Sequence, residues 1–99
     1  MAKFEIPTDA SCYRTLGPWT QDEIPDGLQK QHRLKAGSWG KLTVIGGIID
    51  FCWDDEPGAS PVRLQKGQSL VIPPTVPHHL QLVSPVTIAL SFYKRALDS

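Results

Sequence analysis

Residues 86–93 read Val-Thr-Ile-Ala-Leu-Ser-Phe-Tyr, and this stretch decides the fold class. Side chains along a strand alternate between its two faces. Val86, Ile88, Leu90 and Phe92 therefore share one face, with Thr87, Ala89, Ser91 and Tyr93 on the other. This is the alternation of a half-buried strand. Worked outward, the same reading predicts strands over residues 12–16, 28–35, 41–46, 48–53, 62–65, 69–72 and 78–84. No window carries an apolar helical stripe through three turns, and the chain offers only single helical turns, at 22–24 and 94–97. Nine prolines and eight glycines punctuate the short apolar runs. The expected fold is all-β, a sandwich or a closed barrel.

At 99 residues the chain is one domain's length, with enough surface to bury for a core without disulfides. Residues 11–94 read as that single domain, 1–10 as an N-terminal arm or edge strand, and 95–99 as a C-terminal tail. The acidic segment 54–61 reads as a solvated loop between two halves. Ten basic residues balance ten acidic ones, which argues against a general nucleic-acid binder, whose affinity needs excess positive charge. The longest mostly apolar run, 42–49, contains Gly46 and Gly47 and is too short to span a bilayer. The first ten residues lack the apolar core of a signal peptide. Cys12 and Cys52 form no CxxC pair, and the sequence contains no asparagine. A reduced, cytoplasmic setting is expected.

The histidines carry the chemistry. By strand parity His32 sides with Leu28 and Leu34, and His78 with Leu80 and Leu82, while His79 sides with Gln81 toward solvent. Two imidazoles entering one interior are a candidate metal site, and His32 and His78 are the expected ligands of a divalent ion such as Zn, Ni or Fe. A lone histidine on an apolar face is more often a hydrogen-bonded core residue. Asp50 is the strand carboxylate available to complete a two-His, one-carboxylate site, and Cys52 a source of thiolate. Lys35 and Trp39, with Lys41, are a candidate cation-plus-aromatic lip for a small anion; the alternative is a β-turn with solvated lysines.

Residues 67–78 have the form G-x5-P-x-T-x2-H, running from Gly67 through Pro73 and Thr75 to His78. This resembles the second cupin motif, with Thr75 in place of its inner glycine. The first cupin motif, laid back from Gly46, places its first histidine on His32, with Leu34 and Trp39 at the second histidine and glutamate positions. More closely, PW at 18–19, QKQH at 29–32, KAGSWGKL at 35–42 and PP-x-x-P-H at 73–78 resemble the TehB/YeaR-like domain, over about residues 11–94. That domain precedes the methyltransferase in some tellurite-resistance proteins and also occurs alone. The resemblance implies a cupin-like double-stranded β-helix, a jelly-roll barrel, with two of four ligand positions retained.

The chain lacks the Gly-rich strand-to-helix turn of a nucleotide-type cofactor site, so no methyltransferase domain is expected in it. No serine nucleophile elbow, phosphate loop or spaced carboxylate pair appears. Three functions follow as expectations. The first is a small cupin-like module that binds a metal ion or small anion in a resistance or stress response. The others are a metal-dependent, oxygenase-like cupin enzyme, and an interaction domain with structural histidines acting beside a methyltransferase. Pairing into a homodimer is expected, with neither nucleic acid nor membrane as partner.

Overall fold

The computed structural model describes residues 4–96. Its element order is β1 (Ala10–Thr20), a single 3₁₀ turn (Asp26–Gln29), β2 (Ser38–Trp53), β3 (Val62–Gln65), β4 (Ser69–Ile72) and β5 (His78–Arg95). The fold is all-β, as the alternating pattern requires. Its antiparallel strands follow the order β1-β5-β2-β3, with β4 also pairing with β2. The expected closed barrel does not form. β1 and β3 stand at opposite ends of the strand order, and no ladder joins them.

A core nevertheless forms because the two long strands bend together. Eighteen residues of flat strand would span roughly 60 Å, yet the longest extent of the molecule is 39 Å. β2 and β5 pair from Ser38↔Lys94 to Trp53↔His78, with register shifts around Gly46–Gly47. Sequence parity divides each of these strands in two, at the Gly-Gly pair and at Pro85. In the structure the two breakers face each other and produce one shared bend. Gly47 has φ +78°, and a Cβ there would run into the Pro85 carbonyl. Pro85 has no N–H to give the ladder. Ser84 Oγ lies 3.2 Å from the Ile48 amide, which it accepts, and 3.1 Å from the Ile48 carbonyl.

The bend also shifts the facing of β2. Leu42 and Val44 point inward before it, and Ile49, Phe51 and Trp53 after it. With Leu64, Ile72, Leu80, Val86, Ile88 and Leu90 they form one apolar core. Phe4 of the N-terminal arm packs on this core, its ring 5.3 Å from that of Trp53. Residues 1–3 of that arm and 97–99 of the tail lie outside the described residues, and so does the end of the turn expected at 94–97.

The strand expected at 28–35 is not formed. Its first residues make the 3₁₀ turn, and beyond them only His32 pairs, through an isolated bridge to His78. No described helix is long and apolar enough to cross a membrane.

Candidate functional site

Three backbone hydrogen bonds sew segment 32–35 to the turn before β5. His32 and His78 each donate an N–H to the other's carbonyl at 2.9 Å, and the Thr75 amide donates to Leu34 O at 2.9 Å. This places the two imidazoles against each other, with ring centroids 4.2 Å apart and planes at 66°. Phe51 stacks on the other side of His78 at 5.1 Å. His78 is 1% exposed; His32 is half-buried.

The hydrogen bonds fix the tautomer of both rings. His32 Nδ1 lies 2.9 Å from Lys30 O, and His78 Nδ1 lies 2.8 Å from Val76 O. A backbone carbonyl only accepts, so in each neutral ring the proton sits on Nδ1 and the lone pair on Nε2. The two residues repeat one local device, a ring turned back onto the carbonyl two residues earlier. Burial pulls the His78 pKa down from 6.5 to about 4, against the opposing pull of its bond to Val76 O. At neutral pH this ring is an uncharged base.

Both imidazoles line a cavity of about 50 Å³ whose other walls are apolar, among them Leu28, Leu34, Phe51 and Phe92. With Nδ1 occupied by the backbone, the Nε2 edge is the polar part of each ring left to a ligand. The space is small and its walls are almost wholly apolar, with room only for water-sized groups. A charged oxyanion suits it poorly, because no cationic side chain lines it and an unpaired buried charge is costly.

The other expected ligands lie elsewhere. Asp50 sits opposite Arg63 on the β2–β3 ladder and holds its guanidinium in a fork, with Nε at 2.9 Å and Nη2 at 3.2 Å. That bond to Arg63 lowers the Asp50 pKa. Cys52 is half-buried on the outward face opposite His79, and burial raises its thiol pKa, with Asp54 and Asp50 adding to the rise. It offers no ready thiolate. The parity of His79 is as expected, yet it is not a free solvent residue, because its Nδ1 meets Asp54 Oδ2 at 2.8 Å. Among the described residues no group of three His, Cys, Asp or Glu converges to hold a metal ion.

Lys35 and Trp39 have different neighbours. Lys35 Nζ lies 5.8 Å from the ring centroid of Tyr13, whereas Trp39 carries the Arg95 guanidinium at 5.4 Å. Tyr13 belongs to the distant β1 strand, so spacing along the sequence gave no sign of its pairing with Lys35. The other feature that parity missed is the shared Nδ1 device. It was open to inspection only as two histidines that each follow a polypeptide carbonyl by two residues, a relation every residue has.

The TehB-like domain family matches residues 14–90. Over 40 residues the chain is 48% identical to a Haemophilus influenzae (strain 10810) protein described as a probable S-adenosyl-L-methionine-dependent methyltransferase TehB. That stretch is 40% of this chain and 14% of the relative. The crystal structure of TehB from Haemophilus influenzae superposes with a TM-score of 0.80 at 26% identity, covering 89% of this chain and 32% of that one. A protein of Escherichia coli strain K12 shares the fold, with a TM-score of 0.82 at 19% identity over 93% of this chain and 97% of its own. The chain thus spans about a third of the TehB structure, and the methyltransferase description belongs to that longer protein.

Proposed function

This chain belongs to the TehB-like domain family, and on that premise we propose that it is an accessory binding module rather than a catalyst. Its ligand is a transition-metal ion held by His32 and His78, with its remaining coordination positions filled by small ligands from solution. One observation carries this reading. Both rings donate Nδ1 to a backbone carbonyl, the outer bond by which metal-ligating histidines are usually oriented. Borderline metals take neutral imidazole as a ligand, and His78 is neutral at pH 7. Two protein ligands make a weak site. The reading extends to ancestry: the motif from Gly67 to His78 supports a cupin-like origin, opened here into a bent sheet. A role beside a methyltransferase in a resistance or stress response is part of the same proposal, supported by the likeness to TehB.

A second reading has its own observation. The stacking of Phe51 on His78 and the edge contact of His32 are also how rings fill a core, which fits an interaction domain with structural histidines. Calorimetric titration with Ni²⁺ and Zn²⁺ separates the two. The metal reading expects binding in the wild type and its loss in His32→Ala and in His78→Ala, with the double variant little worse than either. Equal affinity in all variants, or no binding in any, would leave the histidines as core residues.

A further inference from the structure

A second concavity adjoins the imidazole pocket and differs from it in chemistry. It is an open groove of about 390 Å³ whose walls include Arg14, Arg33, Lys35 and Tyr13. Its apolar lining is Leu16, Leu34 and Phe92, and the last two also line the imidazole cavity. The groove falls in the usual size range of small-molecule sites, roughly 300–1,000 Å³.

No acidic residue lines the groove. The chain carries no net charge, so this cationic cluster is a local segregation and not a symptom of general basicity. Two of the chain's guanidinium groups are ion-paired, Arg63 with Asp50 and Arg95 with Asp9. Arg14, Arg33 and Lys35 have no ion-pair partner among the described residues. Lys94 joins them from β5, its Nζ 5.2 Å from the same Tyr13 ring that Lys35 approaches at 5.8 Å. The Tyr13 ring is held in place by a 2.7 Å hydrogen bond between its hydroxyl and Oγ of Ser38, which is 2% exposed. Like charges gathered around one fixed ring repel one another, and a bound anion relieves that repulsion.

We propose that this groove binds an organic anion, in which a phosphate, sulfonate or carboxylate head is joined to a short apolar body. Arg14, Arg33 and Lys35 take the head, and Leu16, Leu34 and Phe92 take the body. The guanidinium forks match such a head by paired hydrogen bonds. The site is separate from the imidazole pocket and stands or falls without it.

Calorimetric titration with phenyl phosphate and with inorganic phosphate tests the proposal. Phenyl phosphate is expected to bind, and to bind about tenfold less tightly to the double variant Arg33→Gln/Lys35→Gln, as loss of charge-assisted contacts implies. Both positions are exposed, and an unchanged unfolding midpoint confirms that the variant folds. In the wild type, salt above about 0.5 M should weaken binding through screening. Inorganic phosphate should bind about tenfold more weakly than phenyl phosphate, since it lacks the apolar body. The proposal is overturned by absent binding, by equal affinity in the double variant, by indifference to salt, or by inorganic phosphate binding as tightly. His78→Ala should retain phenyl phosphate; loss there would place the anion in the imidazole pocket and overturn the separate groove.

Discussion

His32 and His78 are joined twice, by reciprocal backbone hydrogen bonds of 2.9 Å and by an edge-to-face ring contact at 4.2 Å. The backbone pair sets the register and the ring contact follows from it. A metal ion bound to both at ordinary lengths would need Nε2 atoms about 3.4 Å apart, and the proposed site would have to reach that spacing from rings whose centroids are 4.2 Å apart.

The buried His78 makes stability depend on pH in a defined window. Its folded pKa of about 4 lies below the free value of 6.5. Between these values the unfolded chain holds a proton that the folded chain does not, so stability is fully present above pH 6.5 and falls as pH drops toward 4. The contribution lost is at most about 3 kcal/mol. Urea unfolding at pH 7 and pH 4.5 measures it. His78→Phe, which keeps a ring against Phe51, should flatten the difference; an equal drop in the variant would assign the effect to other groups.

The shared bend of β2 and β5 predicts unequal responses from neighbouring glycines. Gly47→Ala places a Cβ against the Pro85 carbonyl at a positive φ, whereas a Cβ at Gly46 meets nothing within 4 Å. Gly47→Ala should cost 2 kcal/mol or more, roughly, from backbone strain and the close approach, and Gly46→Ala less than about 1 kcal/mol. Chemical denaturation of both variants gives the comparison. Equal costs would contradict the bend as described.

Thr75 has φ +65°, the left-handed conformation in which a β-branched residue is strained. Thr75→Gly should raise stability by up to about 1 kcal/mol, the relief of strain being partly offset by the flexibility of unfolded glycine. A loss of stability would mean that the contact of Thr75 Oγ1 with Pro74 O, at 2.6 Å, outweighs the strain.

Much of this was legible in the sequence, and the failures have physical causes. Alternation along 86–93 gave the correct inner face, because Val86, Ile88 and Leu90 are each buried. The same rule placed His78 and Leu80 inside and His79 outside. At 28–35 it misled, since Leu28, His32 and Leu34 do meet the interior but from an irregular segment held by the hydrogen bonds of His32 and Leu34. Gly46-Gly47 and Pro85 each resemble a strand end when read locally, and only their opposition across the ladder turns them into a bend. Asp50 was proposed as a metal ligand on parity, and the bend together with Arg63 on the neighbouring strand removed it. The cationic groove was visible only as Lys35, because Tyr13 and Arg14 reach it from β1, and Arg33, two residues earlier on the same segment, reads locally as one more exposed cation.

The central claim, that the Nε2 edges of His32 and His78 form a ligand site, is tested most directly by nitrogen NMR of the two imidazoles with and without Zn²⁺. In the metal-free protein at pH 7 His78 should be the neutral tautomer with the proton on Nδ1, and Nδ1 of His32 should carry a proton as well. Adding Zn²⁺ should move both Nε2 resonances together while the Nδ1 protons persist and the His79 signals stay in place. A proton on Nε2 of His78, or Nε2 resonances that ignore the metal, would contradict the account.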